Sequence, residues 1–194
     1  MKPFTAALIT GGRSSRMGAD KAFLDWHGRP LWEVQLAKLR AAGAAEILVC
    51  GRREQVFAGD GFRLIPDRRE DLGPLSGLAN ALRAASHDSA LVLAVDMPFI
   101  TTGLLGELVK MQTSFPGQGV IPIRAGRFEP LAAVFPKSAA ALAESRLAGT
   151  DRSLQGFCRE AESAGLVRRW VVPPEDESLF QGVNSPEDLK PRRR

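Results

Sequence analysis

The stretch Phe4-Thr5-Ala6-Ala7-Leu8-Ile9-Thr10-Gly11-Gly12-Arg13-Ser14-Ser15-Arg16-Met17-Gly18-Ala19-Asp20-Lys21 decides how this chain is read. Phe4–Ile9 is a short apolar run suited to a buried strand. The paired glycines just beyond it let the backbone turn sharply and bring N–H groups close to a ligand. Ser14, Ser15, Arg16 and Lys21 then put hydroxyl donors and fixed positive charge within one loop. That mixture suits a polyphosphate, and the segment reads as a nucleotide-handling loop. It matches neither of the two commonest phosphate motifs. A P-loop needs G-x-x-x-x-G-K-[ST], whereas Gly12 and Gly18 are six apart and Ala19 follows Gly18. A dinucleotide fingerprint needs G-x-G-x-x-G at the opening of a helix, which Gly11-Gly12 does not supply.

Working outward, apolar runs alternate with helix-period segments. Glu46–Cys50, Phe62–Ile65 and Ala90–Val95 read as the second, third and fourth strands. The fourth is a continuous apolar run, as in strands covered on both faces. Pro30 to Gly43 reads as a helix, with apolar Leu31, Val34, Leu36 and Leu39 and a glycine stop. Pro74 to Ala85 is helical because Leu75, Leu78, Ala79 and Leu82 fall at i, i+3, i+4 and i+7. A helix near Leu104–Met111 follows, then strands at Gly119–Ile123 and Pro130–Phe135. Helices at about Lys137–Leu147 and Ser153–Ala164, a strand at Val167–Val172 and a closing helix from Pro186 complete the order.

This alternation predicts an α/β fold: a three-layer, doubly wound, mostly parallel sheet of Rossmann-like nucleotidyltransferase type, in one domain over residues 1–194. In the strand order 3-2-1-4 the first and fourth strands are neighbours, and the crevice at their carboxyl ends is the usual ligand site. The glycine loop leaves the first strand there, and Asp96 leaves the fourth.

Asp96 stands in Leu93-Ala94-Val95-Asp96-Met97-Pro98-Phe99. A carboxylate at the end of a buried strand needs a helix N-terminus, a donor network or a metal. Mg²⁺ is typically held by one or two carboxylates with substrate phosphates and water, so Asp96 opposite a phosphate loop reads as its ligand; capping of the next segment is the alternative. Asp67 ends the third strand, either as a solvated turn residue or as part of the site. In Gly73-Pro74-Leu75-Ser76-Gly77, Pro suits a first helical turn and Gly77 leaves room for a flat ligand or for close packing. In Gly182-Val183-Asn184-Ser185-Pro186, Asn184 or Ser185 caps a helix, which leaves Asn184 able to turn its amide towards a metal or phosphate. Glu129 reads as an exposed turn residue.

The formal charge is +4, but Lys190, Arg192, Arg193 and Arg194 lie in the last five residues and leave the body close to neutral. No basic face interleaved with aromatics is present, so nucleic acid is not an expected partner, and the tail from about residue 190 reads as a frayed end. Cys50 and Cys158 have no C-x-x-C neighbour, and His27 and His87 make no ligand spacing with them, which argues against zinc. No signal-peptide pattern or membrane-length apolar run occurs, so a cytoplasmic location with reduced thiols is expected.

Strand followed by G-G-x-S-x-R-M-G-x-D-K resembles the molybdenum cofactor guanylyltransferase family. Gly73-Pro74-Leu75-Ser76-Gly77, Asp96-Met97-Pro98-Phe99, Glu129-Pro130-Leu131-Ala132 and Asn184-Ser185-Pro186-Glu187-Asp188-Leu189 look like further blocks of that family in the same order. The resemblance implies transfer of GMP from GTP to molybdopterin with release of pyrophosphate. Ile9, Thr10, Gly11 and Gly12 would contact the nucleotide and Lys21 its phosphates, with Arg16 helping to neutralise charge. Asp67 would lie at the guanine-nucleotide site and Asp96 would hold Mg²⁺. GTP and molybdopterin are the implied partners, with apo-molybdoenzymes as recipients of the product. A molybdopterin cytidylyltransferase, a sugar- or polyol-phosphate nucleotidyltransferase and a non-catalytic delivery module are the competing readings. Four positions depart from the family: Cys50 replaces an Asn at the end of the second strand, Gly182 the first Asn of Asn-x-Asn, and Ile9-Thr10 the usual Leu-Ala.

Overall fold

Each central strand of this chain points alternate side chains to two different cores. The computed structural model describes residues 2–11, 20–67, 73–183 and 188. Among them the elements run β1 Thr5–Ile9, β2 Asp25–Trp26, β3 Arg29–Pro30, α1 Leu31–Ala41, β4 Glu46–Gly51, β5 Arg63–Pro66, α2 Pro74–Ala84, β6 Ser89–Ala94, α3 Thr102–Thr113, β7 Gly119–Arg124, β8 Arg127–Phe128, β9 Ala132–Pro136, α4 Ala139–Ala148, α5 Leu154–Ser163 and β10 Val167–Val171, with 3-10 turns at Lys21–Phe23 and Pro174–Phe180.

The large sheet has the order β10-β7-β9-β6-β1-β4-β5, with β8 paired to β7. The part β5-β4-β1-β6 is the expected 3-2-1-4 arrangement, and every pairing within it is parallel. β9 is antiparallel to both β6 and β7, and β10 returns parallel to β7. Ala6 and Leu8 of β1 enter the core covered by α1 and α3, while Ala7 and Ile9 enter the core under α2, α4 and α5. Period-2 alternation on a strand buried on both faces gives this two-sided packing. Each fully buried Leu or Ile contributes about 1.5–3 kcal/mol.

Besides the short 3-10 turn at Lys21–Phe23, three elements go beyond the expected order. β2 and β3 form a hairpin whose two-residue turn has positive φ at His27 (54°) and Gly28 (85°). Two successive left-handed residues match the twist of a tight hairpin. The strands are too short to show alternation, and a His in the first turn position hides the signal. The short β8 and the 3-10 turn at Pro174–Phe180 are the other two. The closing helix from Pro186 falls, Asp188 apart, outside the described residues, as does the basic tail.

The hairpin matters because it follows directly on the 3-10 turn that begins with Lys21. Trp26 meets Phe99 edge-on at 5.2 Å, and Phe23 stacks on Phe57 at 5.4 Å. The segment after the glycine loop is thereby pinned between the loop following β4 and the loop following β6.

Candidate active site

At the carboxyl edge of β4, β1 and β6 the hydrogen-bond ladder continues past the strand ends. Thr10 N–H donates to Cys50 O at 2.8 Å, Asp67 N–H to Gly51 O at 2.8 Å, and Val95 N–H to Ile9 O at 3.0 Å. These bonds bring Thr10, Asp67 and Asp96 out at one level. Ile9 is itself core: Gly77 of α2 lies so close that an added Cβ would sit 3.1 Å from Ile9 Cγ2. Gly77 therefore serves helix–sheet packing, not ligand room, and Ile9 presents only backbone to the site.

Asp96 is held from all sides through the main chain. Buried Gln35 of α1 donates Nε2 to Ala94 O at 3.2 Å, and Lys38 of the same helix donates to Pro98 O. Burial brings the pKa of the Lys38 ammonium down to about 8. Ala94 N–H donates to Leu131 O at 2.7 Å, and Val183 N–H to Asp96 O at 2.7 Å. Helix periodicity picks out apolar residues, so it gives no sign of these two polar struts on α1. With its backbone fixed, Asp96 turns its carboxylate to Lys21, whose Nζ donates to Oδ2 at 2.9 Å. Both side chains stay partly open, at 20% for Lys21 and 29% for Asp96. Two residues 75 positions apart in sequence thus meet where the topology placed them.

On the other flank, Asp67 lies over Gly11, where a Cβ would be 2.9 Å from Asp67 Oδ2. Partial burial pushes the Asp67 carboxyl up, eased by Asn80 and Arg52 and reinforced by Glu54. Asn80, itself buried on α2, lies near enough to ease this carboxylate electrostatically, but its Nδ2 does not close a hydrogen bond of good geometry. Asp67 is therefore no solvated turn residue but a carboxylate withdrawn from water with few donors.

Cys50, in contrast, is fully buried with Ile9, Leu48 and Ile65, and burial pushes its thiol far above the ordinary value. Its side chain belongs to the core. Glu129 is not the exposed turn residue expected: at 20% exposure it takes both Nε and Nη2 of Arg124 on Oε1, at 3.1 and 2.9 Å. Gly12, Arg16 and Asn184 lie outside the described residues.

The donor set fits Mg²⁺ in the sense that one hard carboxylate suffices when phosphates and water complete the octahedron. Asp96 is such a group. No cluster of three or more His, Cys, Asp or Glu suited to a metal ion occurs among the described residues, and none of their helices is long and apolar enough to cross a membrane.

A strand that runs into a glycine turn beside a strand that ends in a carboxylate, on this sheet order, is the frame of a nucleotidyltransferase. The similarity to solved structures agrees. Molybdopterin-guanine dinucleotide biosynthesis protein A from Archaeoglobus fulgidus superposes with a TM-score of 0.77 at 25% identity, over 95% of this chain and 94% of that one. The fold is shared with 2-C-methyl-D-erythritol 4-phosphate cytidylyltransferase from Thermus thermophilus, at a TM-score of 0.71 and 23% identity over 97% and 96% of the two chains. Residues 6–164 match the MobA-like NTP transferase domain. A protein of Opitutus terrae named "Probable molybdenum cofactor guanylyltransferase" is 37% identical, over 97% of this chain and 94% of its own length. The molybdenum cofactor guanylyltransferase of Pseudomonas putida KT2440 is 30% identical over 98% and 97%. The chain belongs to the molybdenum cofactor guanylyltransferase family.

Proposed function

We propose that this chain transfers GMP from GTP to the terminal phosphate of molybdopterin, with or without bound molybdenum, to give molybdopterin guanine dinucleotide. A phosphate oxygen of the acceptor forms a bond to the α-phosphorus, the α–β phosphoanhydride bond breaks, and pyrophosphate leaves with that electron pair. The acceptor phosphate is already an anion at neutral pH, so no side chain has to remove a proton. The lack of a His or Cys nucleophile at the carboxyl edge of the described residues is consistent with that economy.

The observation that carries this reading is the Lys21–Asp96 pair, 2.9 Å apart, beside the Thr10–Gly11 turn. Two polyanions must meet, so the barrier is largely one of charge and position. Lys21 supplies a fixed cation for the phosphate chain, and Arg16, by its place in the loop sequence, adds a second. A divalent cation such as Mg²⁺, held by Asp96 and, on sequence grounds alone, by Asn184, supplies charge neutralisation on phosphate oxygens when bound. Gly11 leaves its approach open towards Asp67, whose under-satisfied carboxylate suits the two N–H donors on guanine's Watson–Crick edge. Delivery of the product to apo-molybdoenzymes completes the proposed role.

The test is pyrophosphate release with Mg²⁺ and molybdopterin, comparing GTP, CTP, ATP and UTP. Release with GTP alone supports the proposal. Preference for CTP overturns the base assignment, and silence with all four while GTP raises the Tm points instead to a binding module.

A further inference from the structure

One buried side chain assigned to neither nucleotide nor phosphate bridges the end of β1 and the segment that begins Asp20–Lys21. Gln55, in the loop after β4, is 7% exposed. Its Nε2 donates to Asp20 Oδ2 at 2.8 Å and to Thr10 O at 3.4 Å. Its Oε1 accepts from Arg52 N–H at 2.8 Å and from the Thr10 hydroxyl at 3.1 Å. Both amide hydrogens and Oε1 are engaged by the protein, with the Thr10 hydroxyl hydrogen shared between Gln55 Oε1 and Cys50 O at 3.0 Å, so no donor remains for a ligand. The space for this amide comes from Gly51, where a Cβ would lie 2.1 Å from both Gln55 Oε1 and Thr10 Oγ1.

Asp20 is the second half of the device. Oδ2 also takes the Arg52 guanidinium at 2.8 Å, and Oδ1 accepts Ala22 N–H at 3.0 Å, which caps the 3-10 turn that begins with Lys21. The direction in which Lys21 leaves the chain is thus set by a carboxylate that Gln55 and Arg52 hold. The same amide holds Thr10, one residue before the Gly11 turn.

We propose that Gln55 is a positioning residue that locks the strand-end Thr10–Gly11 to Asp20–Lys21, so that the nucleotide contact and the phosphate cation share one fixed geometry. This rests on the nucleotidyl-transfer reading of the site. The lock depends on polarity: donors face Asp20, acceptors face Arg52 and Thr10. Gln55→Glu keeps the shape but sets one carboxylate against another, with Arg52, Glu54 and Asp67 as the other charged groups of the described neighbourhood. Adding Asp20→Asn restores a donor opposite that acceptor, and Arg52, which loses its carboxylate at position 20, gains one at position 55.

The experiment measures kcat and KM for GTP, KM for molybdopterin, GTP affinity by calorimetry and Tm in the wild type, Q55E, D20N and the double variant at pH 8. Misplacement of reacting groups by about 1 Å costs about 10²-fold, so Q55E is expected to lose at least about tenfold in kcat/KM for GTP, with KM for molybdopterin unchanged. The double variant is expected to recover most of that loss, and Q55E to recover in part as pH falls and the facing carboxylates share a proton. A double variant no better than the worse single, or a Q55E with wild-type GTP parameters, overturns the proposal. So does a loss that follows Tm alone in all variants. If the wild type binds GTP without releasing pyrophosphate, the enzyme reading fails, and the same cycle read in GTP affinity still decides the role of Gln55. A wild type that binds no nucleotide overturns both.

Discussion

The two edges of the sheet each hold a carboxylate drawn away from water, and they treat it in opposite ways. At the amino edge Glu46, the first residue of β4, accepts from Thr5 Oγ1 and Arg63 Nη2 at 2.7 Å, and from Ser86 N–H and Oγ at 2.8 Å. Partial burial pushes its carboxyl up, but Arg63, Ser86 and Thr5 outweigh that and hold it at about 2. At the carboxyl edge Asp67 is also partly withdrawn; burial raises its carboxyl above the ordinary value, and the easing from Asn80 and Arg52 among the described residues does not offset that. A carboxylate saturated by the protein ties elements together. One left short of donors keeps its capacity for something that is not protein. The contrast separates scaffold from site without reference to any relative.

The largest break in that contrast is expected at Asp96. Asp96→Ala or Lys21→Ala removes a partly exposed group whose neighbours are fixed through backbone bonds, so the fold should persist with Tm within a few degrees. Turnover should fall by about 10²–10³-fold or more, as for loss of a preorganised charge at a reacting phosphate. A folded Asp96→Ala protein with near-normal pyrophosphate release would remove Asp96 from the chemistry.

Asp67→Asn tests the carboxyl edge more finely, because stability and function should move in opposite directions. The raised folded pKa means that ionised Asp67 weakens the fold, increasingly as pH rises through that value and constantly above it. The neutral amide removes this penalty, so Tm should rise at pH 7–8 and the difference from wild type should vanish in acid. GTP affinity should fall by about 10–100-fold, the worth of hydrogen bonds to a charged acceptor. A fall in Tm with GTP affinity unchanged would make Asp67 a structural residue like Glu46.

Glu46→Ala is the mirror test. It strands the buried Thr5 hydroxyl, at about 1–3 kcal/mol, while the exposed Ser86 donors turn to water; each kcal/mol is about 2–4 °C of Tm in a chain of this size. GTP parameters below the transition should not change. Since the folded pKa of about 2 lies under the ordinary 4.5, this stability is full above that range and disappears as pH falls towards 2. Thermal scans of wild type and Glu46→Gln should therefore converge in acid.

Much of the frame around this contrast is legible in the sequence itself. Strand order, the meeting of the first loop with Asp96, and both cores follow from periodicity and the handedness of βαβ units. What stays hidden there is polar. Gln35, Lys38 and Gln55 give no signal there, because a hydrophobic pattern registers what a face lacks, not what its few polar groups reach. Gln55 and Thr10 are 45 residues apart, and Gly51 looks like a plain strand end until its missing Cβ is seen to house the amide. The β2–β3 hairpin escapes for a simpler reason: two-residue strands carry no period.

Cys50 gives the smallest and most specific test of the boundary between core and site. By family resemblance an Asn belongs at this strand end, and restoring it looks like a way to improve the enzyme. The structure predicts otherwise. The Cys50 side chain points into the core shared with Leu48, Ile65, Leu75 and Leu78, while the polar work beside it is done by its own carbonyl, which accepts from Thr10 N–H at 2.8 Å. An Asn at this position would bury a larger amide with no partner, at about 1–3 kcal/mol, and any residue there keeps the carbonyl. Cys50→Asn should therefore lower Tm and leave GTP use no better, whereas Cys50→Ala should cost less and leave GTP affinity unchanged. The native thiol should also resist alkylation until the protein unfolds, because burial keeps it protonated. If Cys50→Asn instead tightened GTP binding at unchanged Tm, the end of β4 would present its side chain to the nucleotide, and the division drawn at this strand between scaffold and site would move by one residue.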